Sequence, residues 1–320
     1  KNTILEFDHG LPSICLNKNI SNDLYNLISP LMKSKKLIDI TKDILFINEY
    51  GNITEAINDQ KIYRCLPFMI NFCEEIINQS INSNNINFLF QSLIKSMIRK
   101  DDLWEVKVND KRLIRSKYLV LSSSLLVHER CLKILNINSL PLSDTFIIEK
   151  DKIIDIVLKN TSRQDFLWRR NYILFVPDSE VVKKFNHRYL QIHFSKVFRI
   201  NFNFERIIFQ IQLDGSMIIV LHSATINQFF DLNFDTIIQI LISSFSKEKK
   251  FVDLFSQANL IDTMNWRASQ PINNLLSKDL QWSSTSNIGF CGDWFDFEGC
   301  GRVESAINSS IHLSKLINLK

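Results

Sequence analysis

Along the chain the spacing of apolar positions changes repeatedly, and each change predicts a different element. Over residues 21–37 they fall at Leu24, Leu27, Ile28 and Leu31, one helical face, with Ser21 placed to cap it and Pro30 placed to bend or end it. Residues 44–47 predict a strand, and residues 67–77 a helix with Pro67 near its start. The Asn and Ser cluster at 78–87 reads as loop. Alternation in INFLFQ, LIKSMI and LWEVKV, with turns at Asp101-Asp102 and Asn109-Asp110, predicts a meander over 86–121. It feeds a buried strand at 118–121 and a helix from about 124 to 135.

The next stretch, 141–223, is dominated by strand-like runs: TFIIE, IIDIVL, NYILFV, YLQIHF, RIIFQIQL and SMIIVLH. Asp214-Gly215 marks a hairpin between the last two. Residues 235–245 and 247–258 predict helices, and 261–269 an extended segment ending at Gln270-Pro271. An apolar strand followed directly by a helix suits a parallel sheet, whereas a long run of strands suits an antiparallel one. The expected fold is therefore α/β, with a mainly antiparallel β domain (α+β) inserted.

Composition narrows the partners. Thirty-eight basic and 34 acidic residues leave a net charge of only +4, and no basic stripe argues for nucleic acid. No apolar run approaches the ~18 residues of a membrane span, and nothing resembling a leader precedes the first strand, so neither membrane nor secretion is expected. The six cysteines show no Cys-x-x-Cys pair and no zinc spacing, and read as reduced thiols of a cytoplasmic protein. The histidines at 128, 187, 193, 222 and 312 have no ligand spacing, and no metal is expected.

The chain has seven glycines, and Gly289, Gly292, Gly299 and Gly301 all fall within NIGFCGDWFDFEGCGRVESA at 287–306. The pattern predicts a strand, a loop and a helix start, a junction that presents backbone N–H groups and the positive end of a helix dipole. In the following helix, Val303, Ala306, Ile307, Ser310, Ser314 and Ile317 form the expected inward stripe, and Glu304 in the first turn reads as structural. Near the start of the chain, Asp8-His9-Gly10 by itself reads as a turn in which Gly10 supplies a positive φ.

Taken together, GFCGDWFDFEGCGRVESA, Phe7-Asp8-His9-Gly10 and the segment Asn265-Trp266-Arg267-Ala268-Ser269-Gln270-Pro271 resemble motifs of the renalase-like branch of the flavin-containing amine oxidase superfamily. The resemblance implies bound FAD in a dinucleotide-binding (NAD(P)-type) fold. It implies flavin contacts from Asp8, His9, Gly10, Gly292, Asp293, Gly301, Arg302 and Val303, with Asp293 on the ribityl hydroxyls and the 301–303 N–H groups near flavin N1. Ile94 is a candidate backbone contact where such folds meet the adenine. Trp266 and Trp294 are candidates for walling a small-molecule substrate, with core packing as the other reading for both; Arg302 reads equally as a capping residue, and His9 as positional more than catalytic. The implied reaction is hydride transfer from a reduced nicotinamide species or an amine to flavin, then to dioxygen, with no catalytic residue assigned. The expected FAD-binding domain takes residues 1–40, 80–140 and 260–320, and the substrate domain 41–79 and 141–259.

One element of that family is missing. No Gly-x-Gly-x-x-Gly loop occurs, and Lys1 to His9 contains no glycine. The expectation is either a fragment lacking its phosphate-binding start or a flavin-free relative serving as a binding or structural protein.

Overall fold

The computed structural model describes residues 5–56, 59–81, 86–109, 112–143, 150–226, 232–298 and 302–318. In chain order the strands are β1 (Ile14–Asn17), β2 (Leu37–Asp39), β3 (Ile44–Ile47), β4 (Ile53–Glu55), β5 (Gln60–Cys65), β6 (Ile94–Lys100), β7 (Leu103–Val108), β8 (Arg112–Ser116), β9 (Leu119–Leu121), β10 (Phe166–Val176), β11 (Tyr189–Phe194), β12 (Phe204–Ile211), β13 (Met217–Ile226), β14 (Asn259–Pro271), β15 (Trp282–Ser283) and β16 (Ile288–Phe290). Contacts divide the chain into two compact units. The first comprises Lys1–Asn19, Ile28–Ile76 and Phe166–Ser269, and the second Ile20–Leu27, Ile77–Asp165 and Gln270–Lys320.

The first unit is built on a seven-stranded sheet of order β14-β10-β13-β12-β11-β3-β4. Its central pairings, β10 with β13, β13 with β12 and β12 with β11, are antiparallel, and β3 joins β11 in parallel. Gly215, at φ 85°, lets the chain reverse between β12 and β13. One face carries Tyr172, Leu174, Ile207, Phe209, Ile219 and Leu221, which pack with Ile237, Leu241, Phe245, Phe251 and Phe255 of the helices Phe234–Ser244 and Lys249–Ser256. Phe245 meets Phe251 and Phe255 at ring separations of 5.0 and 5.3 Å, so the frequent phenylalanines serve here as core. Across the opposite face, Ile173, Ile208, Ile218 and Val220 pack with Ile40, Ile44 and Ile62.

A register shift between Phe204 and Arg206 changes the pattern within β12. Strict alternation would put both residues on one face. The bulge leaves Phe204 in the helix-covered core with Ile207 and Phe209, and turns Arg206 to the other face, level with His222.

In the second unit β6, β7 and β8 form an antiparallel meander, and β15-β16-β9 a separate sheet in which β16 and β9 run parallel. Met97, Trp104, Leu121, Ile154, Val157, Ile288, Phe290 and Phe295 make its core. Trp104, fully buried, satisfies its indole N–H on the Ser286 carbonyl at 2.8 Å.

Several local expectations need correction. INFLFQ is not a strand: its residues are exposed, and β6 begins only at Ile94. Without a partner strand, alternation alone gives no ladder. IIDIVL is not a strand either, but lies in the helix Lys152–Thr161. Asp151 caps that helix by accepting from the N–H groups of Ile153 at 2.9 Å and Ile154 at 3.3 Å, and Ile154 and Val157 supply its buried stripe. The helix expected over 124–135 is a 3₁₀ turn at Ser124–Val127 and a separate helix at Arg130–Leu135. Pro30 does not end the first helix, which runs Asn22–Lys33, because a proline one turn from the end removes a single hydrogen bond. The helix Ile70–Ile81 extends into the expected loop. TFIIE lies outside the described residues. Among the described residues no helix is long and apolar enough to cross a membrane, no group of side chains is arranged to hold a metal, and Cys15, Cys65, Cys73, Cys131 and Cys291 form no disulfide.

Candidate functional site

The glycine-rich stretch folds as a strand, a turn and a helix. β16 leads through Cys291 to Gly292, and the helix Val303–Asn318 follows the loop. Gly292 sits at φ 134°, and a Cβ there would lie 2.5 Å from Trp294 Nε1 and 2.8 Å from the Ser122 carbonyl oxygen, so only glycine fits. Its N–H donates to Ser309 Oγ at 3.1 Å. Ser309 also meets Gln281, whose Nε2 donates to Ser309 Oγ at 2.8 Å and to the Phe290 carbonyl at 3.1 Å.

This contact sets the rotation of the last helix, and differently from expectation. The buried side chains are Glu304, Ser305, Ser309 and Leu313, whereas Ser310 and Ser314 are exposed. Leu313 lies so close to β16 that a Cβ on Gly289 would approach its methyls to 3.0 Å. Serines on both faces made the two stripes equivalent by composition; the hydrogen bond to Gly292 chooses between them.

Asp293 is half-buried at this turn. Burial raises its carboxyl above the ordinary aspartate range, while the nearby Arg130 guanidinium pulls it back down. Arg130, itself lowered by burial, donates to Ser124 Oγ at 2.9 Å. Sequence reasoning missed both Arg130 and Ser309, since neither belongs to a motif and both reach the turn from distant parts of the chain. Of the two readings of Trp294, core packing is the one its surroundings match: it is 1% exposed, donates to the Cys291 carbonyl at 2.7 Å and packs 4.9 Å from the Phe295 ring. Arg302 is exposed, its carbonyl accepting from Ala306 N–H at 3.1 Å, and Val303 is the first residue of the helix. Gly301 lies outside the described residues. Ile94 starts β6 opposite Val108, beside a register shift that interrupts the ladder.

The remaining candidates lie in the first unit. Asp8 is buried and fully engaged there: Oδ1 accepts from Met69 N–H at 2.7 Å, and Oδ2 from Arg64 at 3.1 and 3.3 Å. Gln210 closes the arrangement by bonding both the N–H and the carbonyl of Asp8. Desolvation nonetheless raises the carboxyl, with Met69 and Arg64 opposing. Arg64 in turn stacks 4.5 Å over Tyr189. The His9 ring stacks on Trp266 at 6.0 Å, and its carbonyl accepts from Asn171 Nδ2. Trp266, on β14, is 40% exposed. Gly10 is not at positive φ, correcting the turn expectation; a Cβ there would touch Trp266 Cζ2 at an ordinary 3.5 Å. The structure thus brings His9, Gly10 and Trp266 together in one unit and Gly292, Asp293 and Trp294 in the other.

No protein-family model and no curated protein matches the sequence. Among solved structures, FqzB is similar over 96% of this chain and 65% of its own, at 9% identity and a TM-score of 0.50. A tetracycline destructase, Tet(51), is similar over 98% of this chain and 74% of its own, at 14% identity and a TM-score of 0.48. A flavoprotein/dehydrogenase from Cytophaga hutchinsonii is similar over 98% of this chain and 72% of its own, at 8% identity and a TM-score of 0.48. At such identities the likeness to FqzB is one of fold.

Proposed function

We propose that this chain is an FAD-dependent oxidoreductase of the flavin-containing amine oxidase superfamily, renalase-like in its motifs. The observation that carries the reading is the Gly292-Asp293 turn at the end of a strand that runs parallel to β9. The motif predicted from sequence forms a backbone that admits no side chain at Gly292, followed at once by a half-buried carboxylate. The donor set fits a flavin's polyol: Asp293 offers acceptor oxygens in partly desolvated surroundings, with Arg130 favouring the ionised form. The fit is narrower than the motif implied, because the Gly292 N–H is already taken by Ser309.

FAD, when bound, supplies the hydride acceptor. In this reading Asp293 holds the ribityl hydroxyls, and Arg302 and the Val303 N–H at the helix start favour negative charge near flavin N1. Ile94 contributes backbone contacts to the adenine end. Trp266, exposed on β14, is the remaining candidate for orienting a small-molecule substrate, a reduced nicotinamide species or an amine, with dioxygen as final acceptor. Residues 1–40, 80–140 and 260–320 are proposed to serve the cofactor, and 41–79 and 141–259 the substrate.

The test is reconstitution. The purified, folded chain is mixed with FAD, desalted, and its absorbance read at flavin wavelengths. Retention that falls in Asp293→Ala supports the reading; a folded protein that stays colourless sinks it in favour of a flavin-free binding protein.

A further inference from the structure

The first unit carries a second polar constellation, independent of the flavin reading. Four side chains stand level on adjacent strands of the seven-stranded sheet: Asn171 on β10 pairs with His222 on β13, His222 with Arg206 on β12, and Arg206 with His193 on β11. Adjacent strands are ~4.8 Å apart, so the row spans roughly 14 Å. Phe46 on β3 continues it at one end. At the other, Asn171 holds the carbonyl of His9, whose ring stacks on the exposed Trp266.

The row is built but unsatisfied. His222 is 0% exposed, and neither ring nitrogen has a hydrogen-bond partner. Arg206 Nε and Asn171 Oδ1 are buried and equally unpartnered. Buried polar groups in folded proteins are nearly always paired, and an uncompensated buried cation is costlier still. Nearby charge does not supply the balance. Glu205, raised in the bulge beside Arg206, is engaged by Arg169, while Arg199 adds a further cation from the helix Lys196–Phe202. Among the described residues three guanidinium groups thus face one carboxylate, and none of those residues supplies a counter-ion to the guanidinium between the two histidines.

We propose that this end of the sheet binds an organic carboxylate, received by the Arg206 guanidinium between His193 and His222, with its apolar body toward Phe46 or the His9–Trp266 stack. A guanidinium fork matches a planar carboxylate in a two-point contact. With Arg169 already paired, the row offers one free fork, which suits a monoanion better than a phosphate dianion. Burial, reinforced by Arg206 and Arg199, pushes His193 down to about 3, and burial with Arg206 holds His222 well below the ordinary imidazole range. Both rings are therefore neutral at pH 7; His222 has an unpartnered N–H to donate without adding charge, and His193, whose Nε2 accepts from Gln191 Nε2, carries its N–H on Nδ1.

The test is calorimetric titration of the full chain, without flavin, with benzoate, cyclohexanecarboxylate and inorganic phosphate at pH 7. The expected result is saturable binding of at least one carboxylate, weakened tenfold or more in Arg206→Gln and less in Arg206→Lys. Imidazole NMR signals of His193 and His222 in the unmodified chain should shift on addition of that carboxylate, a readout that needs no variant to fold. Absence of carboxylate binding at 10 mM (about the weakest affinity such a titration resolves), unmoved imidazole signals, or binding unaltered in a folded Arg206→Gln would each overturn the proposal. So would preference for phosphate over both carboxylates.

Discussion

His222 on β13 stands directly opposite Arg206 on β12, and the imidazole, fully buried beside that cation, hydrogen-bonds at neither nitrogen. Its folded-state affinity for protons is depressed by burial first and then by Arg206 and Arg169. His193, across the other side of Arg206, is depressed to about 3 by burial, Arg206 and Arg199. Both therefore stay neutral in the folded state where the unfolded chain protonates them. As pH falls below the unfolded value near 6.5, the unfolded state takes up more protons, and each histidine lowers stability by about 1.4 kcal/mol per pH unit. Asp8 and Asp293, raised by burial, act in the opposite sense as they protonate. Urea denaturation at pH 7 and pH 5 should show lower stability at pH 5, with a shallower loss in His222→Leu. The same variant should be neutral or slightly stabilising at pH 7, since it removes two unsatisfied nitrogens.

Asp8 fastens the N-terminal segment. Asp8→Ala takes the carboxylate from the Arg64 guanidinium, which keeps the Pro67 carbonyl at 3.2 Å, and leaves the Met69 N–H unanswered, in a site where the Arg64 and Asp8 side chains are both largely buried. Breaking a buried pair from one side costs about 3–5 kcal/mol. Thermal and urea melts should register that loss, with Asp8→Asn milder because the amide oxygen still accepts from Met69.

The two motif glycines should respond differently to alanine. Gly292→Ala combines a strained φ with contacts of 2.5 Å to Trp294 Nε1 and 2.8 Å to the Ser122 carbonyl, and should cost about 3 kcal/mol or more. At Gly10 the nearest atom would lie at 3.5 Å and the backbone is not left-handed, so alanine should change stability by less than about 0.5 kcal/mol. Paired melting curves decide; equal effects would contradict the geometry.

On the proposed assignment of FAD to the Gly292-Asp293 turn, flavin retention should depend on the ionisation of Asp293. Burial raises its carboxyl and Arg130 opposes, so retention is expected to fall as pH drops through the raised value. In Arg130→Gln the opposing charge is gone, and the fall should begin at higher pH. Released-flavin fluorescence across pH 4–8, a range of about four units around the ordinary carboxylate values, follows both proteins.

Much of the secondary structure was legible because its causes are local. Period-2 runs such as NYILFV and YLQIHF, the Asp214-Gly215 reversal, and the glycine cluster before the last helix each carry their cause within a few residues. IIDIVL failed on the same principle: a run of six apolar and acidic residues satisfies either period, and Asp151, which decides for helix, lies just outside it. The rotation of the last helix was equally undetermined, since Ser309 and Ser310 differ only in which one meets Gly292.

By itself the sequence determined that a strand, a glycine-bearing turn and a helix stand at 288–318, and that a run of strands fills the middle of the chain. Only the tertiary structure decided that Arg130 faces Asp293, that Trp294 is core, and that Asn171, His222, Arg206 and His193 share one row. Propensity and turn chemistry act between neighbours, whereas a row across four strands depends on register. Here that register rests on a single bulged residue, Glu205, which alternation along β12 does not reveal.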